Sequence, residues 1–272
     1  SDRPSVGVRR AMSTPVVNVE PPADRVVVIT GASSGLGASM AVQLAQRPNY
    51  RLALLARRKE LLDEVASKCG GEGKALVIPC DVTKRDEVKD AVGQIMKAYS
   101  RIDVWVNNAG RGLYKVPSEL TDEDMEEMMR VNVHSALYGM QEVLPVFKAQ
   151  KSGHVINVSS LLGRIADSAP FRSAYVGAKH FLNGLTGTFR AELREQFPDI
   201  RFTTASPGII ATDFGINANG PDSRTLGNAQ DVDECAAEII RGAIDNMADE
   251  VYTVPAHVEA VRQALAKLLP AA

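Results

Sequence analysis

Short β-branched apolar runs alternate with longer stretches of helical periodicity from Arg25 almost to the C-terminus, and this alternation constrains the fold more than any other feature. Strands are expected at Val26 to Thr30, Leu52 to Ala56, Ala75 to Pro79, Ile102 to Asn107, His154 to Ser159, Arg201 to Ala205 and Val251 to Val254. Several, such as Val26-Val27-Val28-Ile29, are apolar nearly end to end, as strands covered by helices on both faces must be. Helices are expected at 35–47, 58–68, 84–99, 121–149, 174–196, 230–247 and 256–268. Thr121 followed by Asp122, Glu123 and Asp124 reads as a capping box, and Thr83 with Asp86 as a second. The pattern is that of an α/β protein with a doubly wound parallel sheet, seven strands with helices on both faces. No linker interrupts it, so residues 25–272 form one domain.

Residues 1–24, rich in Arg and Pro and without periodicity, read as a flexible extension, or alternatively as the remnant of an organelle transit peptide. Near-balanced charge, 31 basic against 33 acidic residues, argues against nucleic acid as a partner. Cys69, Cys80 and Cys235 are odd in number and lack a C-x-x-C pair, which excludes a disulfide framework and points to a reducing, cytoplasmic setting. His134, His154, His180 and His257 are scattered without acidic neighbours at ligand spacing, so no metal site is expected. No apolar run reaches the roughly 18 residues of a membrane span.

The first strand runs into Thr30-Gly31-Ala32-Ser33-Ser34-Gly35-Leu36-Gly37 and then a helix. Glycines at 31, 35 and 37 suit a tight turn, close approach to a pyrophosphate and close helix packing, with the anion at the helix N-terminus. Arg57, Arg58 and Lys59 follow the second strand, where an acid would bind a ribose 2′-hydroxyl and a base would accept a 2′-phosphate. Three cations at a helix N-terminus oppose its dipole, so a phosphate ligand explains them better than helix energetics do. The expected cofactor is NADP(H), with Arg57 the main contact and Ser33 or Arg58 assisting.

Tyr175 is the only tyrosine with a base four residues on, Lys179. Six tyrosines and 31 bases in 272 residues make nearly one such pair by chance, so position carries the weight. The pair opens a helix just after the fifth strand, which ends in Asn157-Val158-Ser159-Ser160. A phenol that gives or takes the proton of an alcohol near neutral pH needs its pKa of ~10 lowered. A lysine cation ~5 Å away at an effective dielectric of ~20 supplies about 3 kcal/mol, roughly two units. Ser160 would orient the reacting oxygen.

Together these segments resemble the short-chain dehydrogenase/reductase family, over about residues 25–255, through T-G-x-x-x-G-x-G and Y-x-x-x-K. The resemblance implies a Rossmann fold and an Asn-Ser-Tyr-Lys tetrad, here Asn132, Ser160, Tyr175 and Lys179. It implies cofactor contacts from Gly31, Ser33, Ser34, Gly35, Leu36 and Gly37, and adenine recognition by Asp81 and Val82. It further implies that Asn108, Ala109 and Gly110 line the cofactor, and that Pro207, Gly208, Ile210 and Thr212 meet its nicotinamide end beside Tyr175 and Lys179. Ser34 departs from the Lys or Arg often found there in NADP-using relatives. The reaction implied is hydride transfer between NADP(H) and a ketone, aldehyde or secondary alcohol. A sugar-nucleotide epimerase or dehydratase and a non-catalytic NADP-binding sensor or interaction protein are the alternatives.

The small-molecule substrate is not legible. It depends on loops at about 111–118, 161–173 and 213–228, the last expected to be a lid. Arg111, Arg164 and Arg172 either recognise an acid group or stay at the surface. A homodimer or homotetramer is expected, with Met125, Met128 and Met129 in the contact. A C-terminal stripe of Val258, Val261, Leu265, Leu268 and Leu269 is expected to pack on the body or a neighbouring subunit.

Overall fold

The computed structural model describes residues 24–268, so residues 1–23 of the extension and Leu269 lie outside the described residues. Seven parallel strands, β1 (Arg25–Thr30), β2 (Tyr50–Ala56), β3 (Ala75–Pro79), β4 (Val104–Asn107), β5 (Gly153–Val158), β6 (Ile200–Ala205) and β7 (Glu250–Val251), form one sheet in the order β3-β2-β1-β4-β5-β6-β7. The doubly wound α/β fold is therefore present. Its strand order reverses direction between β1 and β4, which opens a crevice above their carboxyl ends.

Side chains alternate across the pleat. Val27 and Ile29 face one core, with Leu36, Met40 and Leu44 of α1 (Gly35–Ala45), Leu62 of α2 (Lys59–Lys68) and Cys235 and Ile239 further along the chain. Val26 and Val28 face the other, with Val88 and Ile95 of α3 (Arg85–Tyr99) and, from later helices, Met140, Phe147 and Leu193. Both layers exclude water, which is why β1 and β2 read as continuous apolar runs.

The expected helix at 121–149 is interrupted. α4 (Asp122–Met129) and α5 (Ser135–Gln150) are joined by a π turn at Arg130–His134, whose wider winding leaves side-chain room at Asn132. The capping box forms: Thr121 accepts from the Asp124 N–H at 3.2 Å while the Asp124 carboxylate accepts from the Thr121 N–H at 3.0 Å. The second one does not form. Lys84 caps α3, and the Thr83 hydroxyl instead donates to Asp81 at 2.7 Å, because Asp81 sits within reach at the end of β3.

α6 (Ser173–Leu193) carries the Tyr175 pair, and a short helix α7 (Phe214–Asn217) begins the segment expected to be a lid. α8 (Val232–Ile239) ends in a second π turn, Ile240–Asp245. β7 stops at Val251, short of Val254, because Pro255 opens α9 (Pro255–Ala266) and its chain must leave the ladder first. On α9, Val261 is buried while Val258 and Leu265 stay exposed, as does Leu268 just beyond it, so only part of the stripe packs on the body. Met128 is buried in the interior with Tyr175 and Ala178, and is not available for a subunit contact; Met125 is exposed.

Candidate active site

The crevice is a cleft of about 1230 Å³ that spans the carboxyl ends of the strands. At one end the chain turns from β1 into α1 with Gly31 at φ +65° and Gly35 at φ +55°, left-handed values that favour glycine. A side chain at position 31 would stand 2.9 Å from the Ala109 Cα, so the turn lies directly against the loop after β4. Gly37 does not line the cleft. A Cβ there would meet the Gly31 carbonyl oxygen at 2.5 Å, which makes it a packing glycine behind the wall.

Ser34 caps α1 without a side-chain hydrogen bond and no acid occupies the first turn, leaving first-turn N–H groups for an anion. The loop after β4 is tied to β1: the Thr30 hydroxyl oxygen accepts from the Asn108 and Ala109 N–H groups at 3.0 Å each. The Asn108 amide donates to the Thr30 carbonyl at 2.9 Å. Ser33, Ser34, Gly35 and Leu36 line the cleft beside Arg57 and Arg58. The Arg58 guanidinium donates to Ser33 at 3.3 Å and Ser34 at 3.4 Å, forming a polar rim at the end of β2. Asp81 and Val82 face it from β3. Burial opposes the Asp81 charge, but hydrogen bonds from Thr83 and the Arg57 cation hold its pKa below the usual carboxylate value.

At the other end, Ser160, Tyr175 and Lys179 share the wall, all buried. Ser160 follows β5 and caps the short turn Leu161–Gly163, its Oγ accepting from the Leu162 N–H at 3.1 Å. The adjacent Ser159 points back into α6, where its hydroxyl reaches the Lys179 carbonyl at 3.4 Å. Lys179 Nζ lies 5.6 Å from the Tyr175 ring centre and donates to the Val158 carbonyl at 2.9 Å.

Burial pushes the Tyr175 phenol up, against the pull of the Ser160 hydroxyl and the Arg172 cation. Burial also pushes Lys179 down to about 8. The lowering expected of Lys179 on Tyr175 is not among the causes of its shift, which desolvation dominates, and the ammonium makes its hydrogen bond to a backbone carbonyl.

Asn132 is almost fully buried behind the cleft wall rather than lining it. A Cβ on Gly110 would stand 3.0 Å from Asn132 Oδ1 and 3.6 Å from Lys179 Nζ, so the three residues meet where β4 ends. Pro207, Gly208, Ile210 and Thr212 line the cleft after β6, with Thr212 beside Gly35. His257 of α9 packs its ring on Gly208 and enters the same wall. Nothing in its sequence neighbourhood signals that position, which arises only from how α9 folds back. Tyr114 and Phe214 also line the cleft, and the Phe214 ring meets Tyr175 edge-on with centres 5.6 Å apart. Among the described residues no cluster of three His, Cys, Asp or Glu side chains is placed to hold a metal ion.

This fold and site define a class of protein. The short chain dehydrogenase family profile matches residues 25–222. An uncharacterised oxidoreductase of Staphylococcus saprophyticus is 34% identical over 218 residues, covering 80% of this chain and 85% of that relative. An alcohol dehydrogenase of Thermococcus sibiricus, solved with 5-hydroxy-NADP, superposes with a TM-score of 0.72 at 29% identity, over 84% of this chain and 95% of that one. A short-chain dehydrogenase/reductase of Burkholderia phymatum, solved with NAD, has the same fold: TM-score 0.80, 22% identity, 88% and 92% coverage. The chain belongs to the short-chain dehydrogenase/reductase family and is an oxidoreductase of that type.

Proposed function

We propose that this protein is an NADP(H)-dependent reductase of ketones or aldehydes, with Tyr175 as proton donor. The observation that carries the reading is the grouping of buried Tyr175, Ser160 and Lys179 at one end of a cleft whose other end is lined by Gly31, Gly35, Arg57 and Arg58. The positive-φ glycine turn and open helix N-terminus fit the pyrophosphate, and the Arg58, Ser33 and Ser34 rim with Arg57 fits a 2′-phosphate. Similar folds hold either NAD or an NADP derivative, so the dinucleotide is chosen by this local rim.

When bound, the nicotinamide supplies the hydride. Tyr175, kept protonated by its burial, gives its proton to the carbonyl oxygen that becomes the alcohol. The Ser160 hydroxyl donates to the same oxygen and holds it in line. Lys179, while charged, stabilises the phenolate left behind, and the turn at Asn132 and Gly110 keeps the lysine in place.

A homodimer or homotetramer, with exposed Met125 of α4 and Phe181 of α6 in its contact, and a cytoplasmic location complete the proposal. Among the described residues no helix is long and apolar enough to cross a membrane.

The test is oxidation of NADPH and NADH, followed by absorbance, with a panel of aldehydes and ketones. Turnover that favours NADPH at least tenfold supports the reading. Equal or better use of NADH refutes the cofactor assignment, and cofactor binding without turnover across the panel favours a sensor.

A further inference from the structure

The substrate end of the cleft carries Arg111, Arg172 and Arg224, with Arg164 in an adjoining loop, and the four are not equivalent. Arg111 is paired with Glu127 at 2.5 Å, and Arg224 with Asp213 at 3.0 Å and Asp222 at 2.9 Å. Arg164, in the loop before α6, is paired with Glu250 at 2.8 Å. Arg172 alone of these four has neither a carboxylate partner nor a side-chain hydrogen bond among the described residues, although it lines the cleft. Its guanidinium stands 6.0 Å from the Tyr114 ring centre and 5.9 Å from that of Phe214. Aromatic neighbours of this kind hold a guanidinium in place while leaving its edge N–H donors free.

Its backbone is held as well. Arg172 bridges to Lys115, and the Ser173 hydroxyl donates to the Lys115 carbonyl at 3.3 Å. Phe214 touches both Arg172 and Tyr175, so the guanidinium lies a short span from the reacting end of the cleft.

We infer that the substrate is a carbonyl compound bearing a carboxylate, which Arg172 binds through paired N–H donors a few bonds from the carbon that Tyr175 serves. This rests on the reductase reading above. A planar guanidinium with two parallel donors matches a carboxylate, and partial removal from water strengthens that bond. Glu127, Asp213 and Asp222 are already committed to Arg111 and Arg224, and among the described residues no carboxylate pairs with Arg172.

The experiment compares matched acids and esters as substrates with NADPH: benzoylformate and levulinate, each against its methyl ester. The expected result is a kcat/KM for at least one acid that exceeds its ester by tenfold or more, chiefly through KM. The preference should collapse in Arg172→Met and return in part in Arg172→Lys. Should Arg172→Met fail to fold, competition by benzoate against benzamide in the wild-type enzyme reads the same recognition, with benzoate expected to inhibit more tightly. Esters used as well as acids, benzamide matching benzoate, or a preference that survives Arg172→Met overturns the inference while leaving the reductase reading intact. A loss in Arg172→Met that falls equally on acids and esters also overturns it, and assigns Arg172 to setting the Tyr175 proton affinity. No turnover of any acid, ester or aldehyde overturns the reductase reading and this inference together.

Discussion

Asn132 and Arg111 are joined in both directions: the Asn132 amide donates to the Arg111 carbonyl at 2.9 Å, and Asn132 Oδ1 accepts from the Arg111 N–H at 3.2 Å. The side chain thus acts as a backbone strand would, tying the loop after β4 to the π turn between α4 and α5. Asn132→Ala leaves two partly buried backbone groups unpaired and should cost about 1–3 kcal/mol in urea unfolding. Turnover should fall at least tenfold as Lys179 loses its support. Asn132→Asp, which keeps the acceptor but not the donor, should recover little.

The two serines after β5 have separate duties, and kinetics will separate them. Ser160→Ala should lower kcat by about a hundredfold through loss of a donor at the developing charge. Ser159→Ala removes only the contact to the Lys179 carbonyl and should cost less than tenfold. Equal losses would show that the assignment of Ser160 is wrong.

If Arg57 and Arg58 hold a 2′-phosphate, replacing both by Leu should shift the NADPH to NADH ratio of kcat/KM by tenfold or more, mainly through the KM for NADPH. Raising salt should weaken NADPH binding to the wild-type protein more than NADH binding, because the extra charge pair is exposed to screening.

Lys179 is retained at a cost. Burial lowers its folded-state pKa from 10.5 to about 8, so the folded protein carries the penalty below that pH and sheds it as pH rises toward 10.5. The penalty near neutral pH is on the order of 3 kcal/mol. Lys179→Met should therefore raise the Tm by a few degrees while turnover is lost. In the wild-type enzyme, reduction should decline as pH passes about 8 and the lysine loses its charge. A Tm that drops in Lys179→Met would contradict the desolvation argument.

His154 is buried on β5 with its Nε2 against the Thr203 hydroxyl at 2.8 Å, and burial pushes its pKa down to about 3. As pH falls below 6.5 the unfolded chain takes up a proton that the folded chain refuses, so stability drops by ~1.4 kcal/mol per pH unit until about pH 3. Urea titrations at pH 7 and 5 should show this loss in the wild type and a shallower one in His154→Gln.

Much of this was local and hence legible in order along the chain. Apolar runs two layers deep specify buried parallel strands, Gly31 and Gly35 specify a turn with positive φ, and Tyr175 and Lys179 at helical spacing share a face whatever surrounds them. Those consequences depend on the covalent chain and its immediate neighbours. What the amino-acid order left open was set by distant packing. It includes the π turn at Asn132, the burial that raises the Tyr175 pKa instead of lowering it, the ring of His257 on Gly208, and the choice of Arg172 over Arg111 and Arg164 as the unpaired cation. Desolvation and ion pairing depend on which residues fold against one another across the sheet, and only the tertiary structure decides that.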